Sequence, residues 1–106
     1  ALGDIGDHFP PSDQKWKNAK SEKFLLFALN ELNKLEGVLQ HIDITIICEQ
    51  PKIKPYKLIM REKLSQICNL PIKQISVKAT TTEKLGFTGR SEGIAAQATV
   101  TVKLPS

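Results

Sequence analysis

Aromatic side chains are scarce in this sequence, at 6% of 106 residues with one Trp and one Tyr. That argues against a single-strand nucleic-acid platform, which stacks bases on aromatic rings. There are two cysteines, Cys48 and Cys68, and neither their spacing nor their context fits a zinc site or a redox pair. One ends an apolar strand and the other lies on an apolar helix face, so both read as reduced core thiols of a reducing compartment. No apolar run approaches the ~20 residues a bilayer requires, so no membrane partner is expected. The chain opens Ala1-Leu2-Gly3-Asp4, with neither an initiator methionine nor a signal peptide, and reads as cut or processed at its start. The P-loop pattern, the dinucleotide-binding glycine fingerprint and a Ser/His/Asp or Cys/His nucleophile system are missing as well.

What is present is an ordinary globular composition: 41% hydrophobic, 25% charged, net charge +4. The length suits one domain with a single core, so residues 1–106 are read as one unit. The positive excess is spread over Lys15, Lys17, Lys20, Lys23, Lys52, Lys54 and Lys57. It is a solvated surface or a sign of an anionic ligand; it lacks the patch or stripe of a nucleic-acid binder.

Residues 1–20 are rich in turn formers and read as an irregular loop, with the tail of a helix at Ala1-Leu2. Ser21 is the expected N-cap of a first helix, since Leu25, Ala28, Leu29, Leu32 and Leu35 recur at helical spacing and Gly37 offers a stop. Ile42 to Cys48 alternates and is β-branched, a strand. Lys52-Ile53-Lys54 is expected to be extended before Pro55, which opens a second helix to about Asn69. Ile75, Val77 and Ala79 mark a short strand. Ile94, Ala96, Ala98, Val100, Val102 and Leu104 mark a long one with one buried face. This order predicts an α/β (α+β two-layer) fold, a small mixed sheet with helices on one face.

Three segments carry chemistry. In Gly3-Asp4-Ile5-Gly6-Asp7-His8-Phe9-Pro10-Pro11-Ser12-Asp13, two glycines flank Asp4, whose carboxylate could accept from a polyol; turn chemistry with capping aspartates explains the same residues. His8 reads as a solvated side chain, a base or a metal ligand. Cys48-Glu49-Gln50-Pro51-Lys52-Ile53-Lys54 is a proline-stiffened strand exit that could hold a flat ring, or a simple connection. Lys78-Ala79-Thr80-Thr81-Thr82-Glu83-Lys84-Leu85-Gly86-Phe87-Thr88-Gly89-Arg90 is longer than the about two to five residues a hairpin needs. Its hydroxyls and cations suit phosphate oxygens, and Glu83 suits a divalent ion shared with them. A decorated hairpin-like loop is the plainer alternative.

Through Ala1-Leu2-Gly3-Asp4-Ile5-Gly6, Phe9-Pro10-Pro11-Ser12-Asp13, Asp43-Ile44-Thr45-Ile46-Ile47, Gln50-Pro51-Lys52, Met60-Arg61, the run from Val77 to Arg90 and Glu92-Gly93-Ile94-Ala95, the sequence resembles the 2-C-methyl-D-erythritol 2,4-cyclodiphosphate synthases of non-mevalonate isoprenoid biosynthesis over essentially its whole length. The resemblance implies a lyase that converts 4-diphosphocytidyl-2-C-methyl-D-erythritol 2-phosphate to the cyclic diphosphate and releases CMP. It implies a homotrimer with active sites between subunits, no nucleic-acid partner, and a bacterial cytoplasm or a plastid or apicoplast stroma. By resemblance, Asp4, Ile5 and Gly6 hold the methylerythritol, and Phe9, Pro10, Pro11, Ser12 and Asp13 continue that wall. Cys48, Glu49, Gln50, Pro51, Lys52, Ile53 and Lys54 cradle the cytidine of the CDP moiety. Thr80, Thr81 and Thr82 meet the diphosphate, with Thr81 as the catalytic, transition-state-stabilising residue. Glu83 holds Mg²⁺ or Mn²⁺, and Phe87 and Arg90 complete the binding positions, Phe87 near the trimer-axis cavity. The family's zinc is held by an Asp-x-His pair and a further His N-terminal to the Ala-Leu-Gly-Asp segment; His8 and His41 do not match those positions. The chain is therefore expected to be the C-terminal portion of the enzyme, without its zinc ligands. The alternative is an inactive fragment that binds a cytidine nucleotide or an isoprenoid diphosphate.

Overall fold

The computed structural model describes residues 2–10, 12 and 20–106. Its backbone is a three-stranded mixed sheet: β1 (Val38–Ile47), β2 (Ile75–Thr80) and β3 (Ala95–Lys103), with β1 in the middle. β1 runs parallel to β2, from Ile42 opposite Ile75 to Ile47 opposite Thr80. It runs antiparallel to β3, from Ile47 opposite Ala95 to Val38 opposite Lys103. The expected two-layer fold with a small mixed sheet therefore holds. β2 and β3 are not neighbours, so the segment between them crosses β1 rather than closing a hairpin.

Alternation decides which face is buried. Ile42 and Ile46 of β1 project to the same side as Ile75 and Val77 of β2, and all four are buried together with Cys48 and Leu70. Met60, Leu64 and Cys68 of helix α3 (Lys57–Cys68) cover them. Each buried aliphatic side chain contributes roughly 1.5–3 kcal/mol relative to an exposed one. Arg61 of the same helix fastens it to the strand entry: its Nε donates to Ile75 O at 2.8 Å and its Nη2 to Ile72 O at 3.0 Å. The other sheet face carries Asp43, Thr45, Ser76, Lys78, Gln97 and Thr99, with Lys78 Nζ 2.6 and 2.8 Å from the two Asp43 carboxylate oxygens.

Several expectations need correction. Residues 1–20 hold a short helix, α1 (Ile5–His8), capped by a reciprocal pair in which Asp4 and Asp7 each accept from the other's backbone N–H. Leu2 is outside any helix, and Ala1 lies outside the described residues. In α2 (Ser21–Lys34), Ser21 is already helical and Lys20 is the N-cap, with no side-chain cap bond. The stop is a Schellman closure in which Gly37 N–H bonds Leu32 O and Glu36 N–H bonds Asn33 O. The left-handed residue there is Glu36, at φ 56, not Gly37.

β1 begins four residues before its predicted start, because the long β3 offers it pairing partners as far back as Val38. A bulge between Leu39 and His41 interrupts the alternation there and hid that start. Ile53 and Lys54 are not extended: Ile53 is in the right-handed helical region, and Lys54–Tyr56 form a 3-10 turn leading into α3. The expected buried face of β3 is open, with Val100 50% and Val102 41% exposed. β3 is a sheet edge, and α3 covers the other two strands; α2 reaches toward β3 but leaves an apolar cleft of about 370 Å³ under Leu25, Leu29 and Leu32.

Candidate functional site

Because β1 and β2 are parallel, their C-terminal ends lie side by side, and the two chemically loaded loops leave the sheet together. The Cys48 N–H donates to Thr80 O at 3.2 Å, which extends the ladder one step past β1. Ligands of open parallel sheets gather in such a crevice beyond the strand carboxyl ends. Here the crevice is a cleft of about 280 Å³ lined by Cys48, Glu49, Pro51, Lys52, Ile53, Lys54, Lys57, Ala79, Thr80 and Thr81. Two segments separated by about thirty residues of sequence thus form one site. Gln50 is exposed and not part of the lining. Lys57, which sequence reasoning did not select, joins Lys52 and Lys54 around the cleft; its signal was its place in the first turn of α3, three residues after Lys54.

The strand exit is pinned from within. Cys48 Sγ donates to Pro51 O at 3.4 Å, across a cis Gln50–Pro51 peptide. Glu49 reaches the other way: its Oε1 accepts the Lys84 backbone N–H at 3.1 Å and joins the two loops.

The threonines divide by role. Thr80 and Thr81 are exposed at the cleft. Thr81 Oγ1 accepts the Glu83 N–H at 3.2 Å, so its own hydroxyl proton remains available to a ligand. Thr82 turns inward: its hydroxyl donates to Leu85 O, and its oxygen lies 3.1 Å from the hydroxyl of buried Thr88. With the Thr82 proton directed at Leu85, Thr88 must be the donor of that second bond. Thr82 therefore organises the loop instead of facing the cleft.

Glu83 and Lys84 both adopt the left-handed region, at φ 52 and 67, which for residues other than glycine costs on the order of 1 kcal/mol each. The turn that follows, α4 (Gly86–Gly89), packs so closely on Lys84 that a Cβ on Gly89 would run into the Lys84 backbone. That contact gives Gly89 a physical reason. Phe87 is 52% exposed, with its ring against Gly93, and Arg90 is ion-paired through Nε to Glu92.

The N-terminal segment is elsewhere in the chain. Leu2, Gly3, Asp4, Ile5, His8 and Phe9 line a second cleft of about 290 Å³ against Phe24, Phe27 and Ala28 of α2. It shares no lining residue with the first. Gly6 and Pro10 adjoin it, Ser12 is exposed in a turn, and Pro11 and Asp13 lie outside the described residues. His8 is half-buried and already engaged: its Nε2 donates to Leu2 O at 2.7 Å and its ring centroid lies 4.9 Å from that of Phe27.

Among the described residues, no group of three or more His, Cys, Asp or Glu side chains comes together that could hold a metal ion. A zinc site does not fit them. Glu83 is different, because it is exposed and its backbone N–H is bonded to the Thr81 hydroxyl oxygen. Mg²⁺ commonly takes one protein carboxylate and fills its remaining positions with water and substrate phosphate oxygens, which fits a lone Glu83. No helix among the described residues is long and apolar enough to cross a membrane.

Comparison with known proteins places the chain in a family and a fold. The family model described as "YgbB family" matches residues 1–103. The bifunctional enzyme IspD/IspF of Caulobacter vibrioides (strain NA1000 / CB15N) is 56% identical over 104 residues, which is 98% of this chain and 27% of that protein. The solved structure of the bifunctional IspDF from Campylobacter jejuni superposes with a TM-score of 0.91 at 42% identity, covering 97% of this chain and 28% of that one. A structure of 2C-methyl-D-erythritol-2,4-cyclodiphosphate synthase in its CDP-bound form gives a TM-score of 0.86 at 28% identity, covering 96% of this chain and 65% of that one. The chain thus spans about a quarter of the length of the curated relatives it matches. With a family match over nearly every residue and the fold shared, the chain belongs to the YgbB family.

Proposed function

We propose that the chain forms the C-terminal part of a 2-C-methyl-D-erythritol 2,4-cyclodiphosphate synthase in the non-mevalonate isoprenoid pathway. The observation that carries this reading is the cleft that joins Cys48–Lys54 to Thr80 and Thr81. It offers a stiffened pocket for a flat ring on one wall and hydroxyls for a diphosphate on the other. A CDP-bound structure in the same fold supports a CDP-containing ligand.

In the reaction, an oxygen of the substrate's 2-phosphate attacks the β-phosphorus and forms the ring-closing P–O bond. The bond from the β-phosphorus to the bridging oxygen breaks, and that oxygen leaves with CMP. The substrate supplies its own nucleophile, so the protein's task is to position the groups and neutralise charge. Thr81 donates its free hydroxyl to the β-phosphoryl oxygens as negative charge builds there. Thr80 and the cations Lys52, Lys54 and Lys57 hold the flanking phosphates. Glu83 would hold Mg²⁺ or Mn²⁺, which when bound offsets charge on the phosphate oxygens. Zinc, where the enzyme uses it, takes ligands outside the described residues.

Asp4, Ile5 and Gly6 would hold the methylerythritol, with Phe9 to Asp13 as the continuing wall and Phe87 and Arg90 as the remaining binding positions. Asp4, Ile5 and Phe9 line a cleft that shares no residue with the cytidine cleft, which favours a homotrimer in which a neighbouring copy completes the site. The partners are then a small molecule and further copies of this chain, without nucleic acid or membrane. A bacterial cytoplasm or a plastid stroma suits the two free thiols.

The lack of a metal-ligand group among the described residues favours a second reading, a chain that binds cytidine nucleotide without turning over. Calorimetry with CDP and ³¹P detection of CMP release, with Zn²⁺ and Mg²⁺ added, separate the two. The first reading expects both binding and release from the full-length protein; CDP binding without release supports the second, and no CDP binding overturns both.

A further inference from the structure

Asp4 is held from two sides. Its Oδ1 accepts the Asp7 N–H at 3.1 Å while Asp7 Oδ2 accepts the Asp4 N–H at 3.0 Å. Gly3, at φ +81, leaves room for the Asp7 carboxylate, into which a Cβ would collide. Gly6 likewise keeps the space beside Asp4 Oδ1 open. Among the described residues, the other carboxylate oxygen, Asp4 Oδ2, receives no hydrogen bond, and it can accept one from a ligand hydroxyl.

The capping pair orients Asp4 relative to α1, but it does not fix α1 relative to the rest of the domain. His8 supplies that link. At the end of the turn its Nε2–H reaches back six residues to Leu2 O, which closes the segment into a loop. Its ring rests on Phe27, 4.9 Å away and tilted by 44°. The adjacent Phe9 adds edge contacts to Phe24 and Phe27 at 4.8 and 4.9 Å. Phe24 and Phe27 belong to α2, so the loop is anchored to a longer element. An anchored carboxylate binds a polyol at a lower ordering cost than one on a free turn.

We propose that His8 is a positioning residue for Asp4: its bond to Leu2 O and its seat on Phe27 hold Asp4 Oδ2 where a substrate hydroxyl meets it. This rests on the reading of Asp4 as the methylerythritol-binding carboxylate. A donor at the ε-nitrogen position is the requirement. Glutamine places an amide N–H at a similar reach, whereas leucine fills the volume and donates nothing.

The test uses the full-length protein with His8→Leu and His8→Gln, reading KM and kcat for the substrate and the calorimetric Kd for CDP. Losing one hydrogen-bonded tether should raise KM about 5- to 10-fold in His8→Leu. The Kd for CDP should stay at the wild-type value, because CDP lacks the methylerythritol and occupies the other cleft. His8→Gln should return KM to within about 2-fold of wild type. An unmoved KM in His8→Leu, equal KM rises in both variants, or a Kd for CDP that rises with KM would each overturn the role of His8. Wild-type protein that neither binds CDP nor releases CMP would instead overturn the functional reading, and this proposal with it.

Discussion

The backbone N–H of Lys84 donates to Glu49 Oε1 at 3.1 Å, which ties the threonine loop to the exit of β1 across 35 positions of sequence. That bond joins the two loops that wall the cleft between Cys48–Lys54 and Thr80–Thr81, and Lys84 is in a left-handed conformation that needs support. Glu49→Ala should raise the Kd for CDP about 5-fold by loosening one wall against the other. Glu49→Gln keeps an acceptor oxygen and should bind close to wild type. Titration calorimetry of the two variants checks this; equal weakening in both would mean that the charge of Glu49, not the tether, matters.

Thr81 and Glu83 are exposed, and the fold asks little of their side chains beyond the Thr81 bond to the Glu83 N–H. Thr81→Ala and Glu83→Gln in the full-length protein should therefore lower kcat by about 100-fold or more while shifting Tm by only about 2 °C. For Glu83→Gln the Mg²⁺ needed for half-maximal rate should also rise. Near wild-type turnover in both variants would remove their assigned roles.

Arg61 reaches from α3 to two carbonyls at the entry of β2. Arg61→Met keeps the aliphatic stem and strips both donors, so it should destabilise the domain by about 2 kcal/mol. Denaturant unfolding followed by circular dichroism measures this. CDP affinity should change less than stability, since Arg61 does not line the cleft.

On the open sheet face, the hydrogen bond from Lys78 holds the Asp43 carboxyl below its usual 3.8, reinforced by the charge of Lys78 and opposed by desolvation. A carboxyl with a depressed folded pKa stabilises the fold above its unfolded pKa and loses that contribution as pH falls through the folded value. The stability difference between wild type and Lys78→Met should thus be present at about pH 6 and close as pH drops to about 2. The Lys78 side chain is 53% exposed and that of Asp43 38%, so the difference should be small and should shrink further in high salt. A gap that persists at low pH would assign the effect to packing.

Sequence patterning by itself determined the layers. Period-2 alternation at Ile42, Ile46, Ile75 and Val77 and helical spacing at Leu25, Leu29 and Leu32 are local signals, and each element appeared where they stood. The capping pair Asp4–Asp7 was legible in principle, as two carboxylates three residues apart, but a four-residue helix has no hydrophobic period to announce it. Family-bearing residues were equally legible, since the order of Asp4, Gln50, Thr81 and Glu83 along the chain carries the resemblance without any coordinates.

Tertiary structure decided what depends on which strand lies beside which. Only the parallel pairing of β1 with β2 brings Cys48 and Thr80 together, and strand order is a property of the whole sheet that no local window encodes. The different fates of the adjacent hydroxyls followed in the same way. Thr81 faces the cleft and Thr82 faces Thr88 because left-handed turns at Glu83 and Lys84 fold α4 back beneath them. The exposure of Val100 and Val102 is likewise a matter of the edge position of β3, since alternation marks a face as apolar but cannot say what covers it.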